Sequence, residues 1–142
     1  MLLLIITKQL KNGLIEHYKA ITNEVSLPII LYNVPSRTGL NIEPETYLEL
    51  SKIDNIVATK EANGNISQIA KTAALCKDNL YIYSGNDDQV LPILSLGGIG
   101  VISVLSNIAP KFVHNMVTSY LNGDIKTATN PQLESLNLAN TL

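Results

Sequence analysis

Short apolar runs alternate along this chain with longer stretches whose apolar residues recur at helical spacing. Residues 2–7, 28–34, 56–61, 80–84 and 100–105 have the length and the Val/Ile/Leu content of buried strands, and Pro35 closes the second of them. Between them lie helical segments. Residues 13–24 set Leu14, Ile15, Tyr18 and Ile21 near one face, and residues 44–52 open with proline in the first turn and with Glu43 and Glu45 at the positive end. Residues 66–75 follow Asn65, a side chain suited to cap the free amides of a helix start. Residues 87–95 read as a short helix, and residues 111–121 as a longer one that stops at Asn122-Gly123. The tail from Thr127 is broken by Asn130-Pro131 and predicts no strong helix.

This alternation predicts an α/β fold of about five βα units, with a parallel sheet covered by helices. An open doubly wound sheet fits within 142 residues, whereas a closed eight-stranded barrel takes about 250. The placement of polar residues points the other way. They gather at the C-terminal ends of the strands, at Tyr32 and Asn33, Lys60 and Glu61, Ser84 to Asp88, and Ser106 and Asn107. In a barrel these ends ring one mouth, where active sites sit. Strand alternation puts Ile30 with Tyr32, Ala58 with Lys60, and Gly100 with Ile102 and Val104. With Lys60 facing a barrel interior, Ala58 leaves room behind it and Ile102 walls the pocket.

Composition narrows the classes. A chain that is 46% hydrophobic with a net charge of -2 has apolar material for one core and no basic stripe to track phosphates. One phenylalanine and no tryptophan leave little for base stacking, so neither a nucleic acid nor a membrane is expected as partner. Cys76 lies in a helical stretch among alanines and a leucine; with no second cysteine it reads as a core residue in a reducing compartment. The apolar start lacks the basic flank and small-residue cleavage site of a signal peptide, and no apolar run approaches the roughly 20 residues of a membrane span, so a cytoplasmic location is expected.

Lys60 ends an apolar strand, while Tyr32 and Arg37 stand at and just beyond the end of the preceding one. An amine in apolar surroundings, a phenol and a guanidinium are the parts needed for Schiff-base chemistry on a keto acid. Desolvation favours the neutral amine that attacks a carbonyl, the phenol can pass protons, and the planar guanidinium fork binds a carboxylate. Taken singly, each has a plainer reading: a strand-end ion pair for Lys60, a core aromatic for Tyr32, a solvated loop charge for Arg37. Gly97-Gly98-Ile99-Gly100 precedes its strand and lacks the Lys-Ser ending of a phosphate loop, so it reads as turn chemistry. Asp87 and Asp88 read as capping charges, His17 and His114 as surface residues, and no metal site is expected.

Four segments occurring in one order change this weighing. YNVPSRTG at 32–39, KEANGN at 60–65, SGND at 84–87 and GGIGVISVLSN at 97–107 together resemble the dihydrodipicolinate synthase family of pyruvate-dependent class I aldolases, over residues 2–120 or so. The resemblance implies a partial (β/α)8 TIM barrel, with residues 1–142 as one domain equivalent to barrel strands 4 to 8 and without strands 1–3 or the closing helices. It implies a lyase that condenses pyruvate with L-aspartate-4-semialdehyde to 4-hydroxy-tetrahydrodipicolinate in lysine and diaminopimelate biosynthesis. No cofactor is implied beyond the covalent imine of pyruvate on Lys60, and the family suggests a homotetramer.

Residue by residue, the resemblance makes Lys60 the imine former, Tyr32 a proton carrier, Arg37 the binder of the semialdehyde carboxylate, Ile102 a pyruvate-contacting position, and Gly85 a substrate-site residue near the same pocket. The chain also departs from the family. Residues 7–13, Thr-Lys-Gln-Leu-Lys-Asn-Gly, stand where the family has a Pro-Tyr-Tyr-Asn motif, and the family's paired threonines have no counterpart. Impaired synthase activity is therefore expected of this chain alone. The alternatives are a sibling lyase acting on N-acetylneuraminate or a keto-deoxy sugar acid, against which the SRTG setting of Arg37 counts, and a non-catalytic fragment.

Overall fold

The computed structural model describes residues 2–139, with side chains from 11 to 136. Its first element, α1 (Leu2–Glu24), is one continuous helix. The strand expected over residues 2–7 is therefore absent, and the sheet has four strands among the described residues rather than five. The reason lies just downstream of the apolar run. Residues 8–11, Lys-Gln-Leu-Lys, are straight-chain helix formers, and the helix they carry continues through the Asn12-Gly13 turn signal, so the run merges with the amphipathic helix that follows. Periodicity alone does not separate a short apolar run from the opening turns of a buried helix.

Four parallel strands follow: β1 (Ile29–Asn33), β2 (Ile56–Glu61), β3 (Tyr81–Ser84) and β4 (Gly100–Val101), in the spatial order β1-β2-β3-β4. Parallel neighbours need crossovers, which helices provide. α2 (Pro35–Thr38) and α3 (Pro44–Leu50) join β1 to β2, α4 (Ile66–Cys76) joins β2 to β3, and α5 (Val90–Ser95) joins β3 to β4. α6 (Pro110–Leu121) and α7 (Ile125–Ala139) come last. Asn65 caps α4 as its sequence position predicts, its Oδ1 accepting the Gln68 amide at 3.1 Å. The strand expected over 100–105 pairs only through Gly100–Val101 before a 3-10 turn at Leu105–Asn107. The Ile102 amide still donates to the Ser84 carbonyl at 2.8 Å, extending the ladder by one bond.

One irregularity sets which side chains share a face. Ile29 is level with Ile56 but Ile30 with Ala58, so β2 carries an extra residue, Val57, against β1. Ile56 thereby enters the helix-side core with Leu31, Ile42, Tyr47, Leu50, Cys76 and Leu80, against which Leu14, Ile15 and Tyr18 of α1 pack. Ile82 joins Ile69 and Ile93 in a second cluster, and Val90, Leu94, Met116 and Ala128 belong to a third. Cys76 is thus the core residue its setting predicts, and burial pushes its thiol up from the ordinary value. The other face of the sheet is open, with Ile30, Tyr32 and Tyr81 each about half exposed.

The Gly97-Gly98 turn behaves as expected. Gly97 adopts a φ of +91°, and a Cβ on Gly98 would lie 2.7 Å from the Ile93 carbonyl oxygen. The tail corrects the sequence reading, because α7 runs through Pro131 without a break in its helical assignment. Tertiary contacts override the local cost of an interior proline. Ala128 is fully buried, Gln132 accepts the Leu91 amide at 2.9 Å, and its Nε2 donates to the Asp87 carbonyl at 2.9 Å. No helix among the described residues is long and apolar enough to cross a membrane.

Candidate active site

The parallel register aligns Tyr32, Lys60, Tyr83 and Gly100 in a single row across the open face of the sheet. Ile30, Ala58 and Tyr81 form the row beside it. Lys60 Nζ lies 4.2 Å from the centroid of the Tyr32 ring, a cation–π contact between neighbouring strand ends. Tyr32 and Lys60, expected at the ends of neighbouring strands, are brought level by the register. Tyr83, on the other side of Lys60, is a member of the row that sequence reasoning missed. Its alternation with Tyr81 along a strand carrying the SGND segment was the available signal.

Gly85 follows β3 directly and donates its amide to the Glu61 carbonyl at 2.7 Å. A Cβ there would lie 2.8 Å from Ala62 Cβ and 3.1 Å from Lys60 Cε. The missing side chain is what lets the end of β3 close on the stem of Lys60. Gly85→Ala is expected to destabilise the fold by about 1–3 kcal/mol through overpacking, read as a lower urea midpoint at unchanged slope. Unchanged stability would show that the strand ends yield freely at this point.

Ile102 sits beyond Gly100 at the end of β4 and is 39% exposed. Its segment is held by Asp87, whose Oδ2 accepts the Val104 and Leu105 amides at 3.0 Å each. Asp87 is thus a capping charge, as expected, but it caps the turn after β4 rather than its own helix. Arg37 lies in α2, exposed above the end of β1, and has no ion-pair partner among the described residues. Lys60, Tyr32 and Gly85 are brought together; Ile102 and Arg37 stand at the margins of the same strand-end surface. A cavity of about 270 Å³ lined by Tyr83, Gly100, Val101, Ser106, Val113 and His114 lies toward β4 and does not include Lys60. Among the described residues no group of three His, Cys, Asp or Glu side chains could hold a metal ion.

Behind Tyr32 and Lys60, on the helix side of the same strands, lies a polar cluster. Asn33 is level with Glu61, and both are buried. The Tyr47 hydroxyl donates to Glu61 Oε1, Asn33 Nδ2 lies 3.3 Å from each Glu61 oxygen, and the Asn63 backbone also hydrogen-bonds the carboxyl. Thr59 donates to the Tyr47 hydroxyl at 3.0 Å. Asn33 is itself fixed, its Oδ1 accepting the Ile42 amide at 3.1 Å and its Nδ2 donating to Asn41 at 2.9 Å. Burial pushes the Glu61 carboxyl up to about 7 against the pull of these donors. Burial, with Glu61 close by, likewise holds the Tyr47 phenol well above its ordinary range. The sequence signal was parity: Asn33, Thr59 and Glu61 are polar residues on strand positions that must face helices.

Comparison with known proteins gives this arrangement a family. A sequence profile of the dihydrodipicolinate synthetase family matches residues 6–142. The chain is 60% identical over 135 residues to 4-hydroxy-tetrahydrodipicolinate synthase 1 of Clostridium acetobutylicum, a match covering 95% of this chain and 46% of that protein. It is 58% identical over 135 residues to the 4-hydroxy-tetrahydrodipicolinate synthase of Caldicellulosiruptor saccharolyticus, covering 95% and 45% respectively. The solved structure of dihydrodipicolinate synthase from Thermotoga maritima matches with a TM-score of 0.88 at 38% identity, over 92% of this chain and 45% of that one. That from Aquifex aeolicus matches with a TM-score of 0.87 at 36% identity, over the same shares. The chain spans somewhat under half the length of the relatives it matches, and its parallel α/β sheet corresponds to part of their TIM barrels. With the profile covering nearly all of its residues, this chain belongs to the dihydrodipicolinate synthetase family.

Proposed function

We propose that this chain, one partial-barrel domain, carries the imine-forming part of a 4-hydroxy-tetrahydrodipicolinate synthase. That lyase would condense pyruvate with L-aspartate-4-semialdehyde in lysine and diaminopimelate biosynthesis. The observation that carries the reading is the placement of Lys60 on an open strand-end surface with its Nζ 4.2 Å from the Tyr32 ring. The names of the relatives, at 58–60% identity, support the choice of substrates.

In this reading the neutral Lys60 amine adds to C2 of pyruvate, and the resulting carbinolamine loses water to give the iminium. The iminium draws electrons from the methyl group, which loses a proton to give an enamine. The enamine carbon attacks the aldehyde carbon of the second substrate, whose own amine then adds at C2 and displaces Lys60, closing the ring. The Tyr32 hydroxyl passes protons in the water-loss and addition steps. Gly85 leaves room beside the Lys60 stem, Ile102 lines the pyruvate site, and Arg37 binds the carboxylate of the semialdehyde through its guanidinium fork.

Borohydride reduction in the presence of pyruvate tests the reading. A stable adduct mapped by mass spectrometry to Lys60 is expected, and a folded sample that forms none would refute it. Arg37 is tested in the same assay. Arg37→Ala should trap pyruvate as the parent chain does, but semialdehyde added before the borohydride should deplete the adduct at least ~10-fold more slowly, the loss of one charge-assisted contact. Equal depletion in the two proteins would remove Arg37 from the acceptor site.

A further inference from the structure

The back of the sheet offers Lys60 a support that the reaction steps do not use. The hydrogen-bond partners of the Glu61 carboxyl are donors: Tyr47 Oη from α3, Asn33 Nδ2 from β1, and the backbone of Asn63 beyond β2. The Tyr47 oxygen accepts from Thr59 at 3.0 Å, which leaves its own hydrogen for Glu61. A shell built of donors favours the carboxylate form, against the burial that disfavours it. The same bonds tie together the C-terminal ends of β1 and β2. Tyr32 and Lys60 are the residues immediately before Asn33 and Glu61, level with each other and pointing to the opposite face.

We propose that Glu61 is a positioning residue for Lys60: its carboxylate, clamped by Tyr47 and Asn33, fixes the ends of β1 and β2 so that Lys60 and Tyr32 stay side by side on the other face. This rests on Lys60 being the imine former. Burial pushes the Glu61 carboxyl up to about 7, so the clamp engages as the pH rises through neutrality. The surrounding groups leave few other candidates for such a transition. α3 contributes Tyr47, α1 contributes Tyr18, which acts on Tyr47, and β1 and the loop after β2 contribute the uncharged Asn33 and Asn63. Glu43 reaches the cluster only through Asn41, at 2.9 Å, and Lys60 faces away.

The test compares the 142-residue chain with Glu61→Gln, a neutral mimic of the protonated acid. Modification of Lys60 is followed by mass spectrometry across the neutral range with two reagents, pyruvate with borohydride and, separately, acetic anhydride. For pyruvate the ratio of parent to variant rate should be close to one at about pH 6 and rise through a single step to about tenfold at about pH 8. For acetic anhydride the ratio should leave one through the same step. A ratio that is flat with pH, at one or at any other value, overturns the proposal, because a merely structural role would give that result. If acetic anhydride shows the step and pyruvate gives no adduct, the clamp on Lys60 stands and the keto-acid reading fails. Tyr47→Phe, which keeps the carboxylate and removes one donor, should move the step to higher pH; an unmoved step also overturns the proposal.

Discussion

Between pH 4.5 and about 7 the free energy of unfolding should fall by about 3 kcal/mol on account of Glu61 alone. In the unfolded chain this carboxyl ionises near its ordinary 4.5, whereas burial delays ionisation in the folded chain to about 7. Over that window the folded state holds a proton that the unfolded state has released. Stability is therefore greatest below the unfolded value, declines as pH rises through the window, and is level above it. Glu49 and Asp124, held below the usual carboxylate range by Lys52 and Thr127, act in the opposite sense but are exposed and contribute little. Urea titrations of the parent chain and Glu61→Gln at a series of pH values isolate the effect, since every other carboxyl is common to both. The difference between the two curves should slope across the window; parallel curves would show that Glu61 is not held protonated in the fold.

Lys60→Met should abolish the pyruvate adduct while changing stability by less than about 1 kcal/mol. Methionine keeps the apolar stem that fills the space beside Gly85, so packing at the strand end is preserved. What is lost is the amine and its contact with the Tyr32 ring, worth about 0.5–1 kcal/mol at a partly exposed site. The asymmetry between a full chemical loss and a small thermodynamic one separates Lys60 from a strand-end ion pair. Its open surroundings and the contact with Tyr32 already argue against that plainer reading, since the ion pairs among the described residues are Lys19–Glu16 on α1 and Lys52–Glu49 at the end of α3, both exposed and neither involving Lys60.

Strands β1 to β3, and the parity that puts Tyr32 with Ile30 and Lys60 with Ala58, were legible because each rests on local chemistry. Pro35 ends β1, Asn65 starts α4, and alternation alone puts Ala58 and Lys60 on one face. Three features were not legible, for different reasons. Residues 2–7 have strand composition, but the straight-chain residues 8–11 join them to a helix that also runs through the Asn12-Gly13 turn signal. Pro131 argues locally for a break, yet Gln132 bonding to Leu91 and Asp87 holds α7 against α5, a contact between residues far apart in sequence. The Val57 bulge, which sends Ile56 to the core, is set by the register against β1 and has no mark in β2 itself. In the site, Lys60, Tyr32 and Gly85 came from motifs, whereas the Glu61–Tyr47 contact needed the approach of α3 to the back of β2.

Attack of Lys60 on a keto acid is tested by peptide mapping of the parent chain after borohydride reduction with pyruvate. One reduced adduct is expected, on Lys60, and it should disappear in Lys60→Met. An adduct spread over other lysines, or retained when Lys60 is replaced, would contradict it.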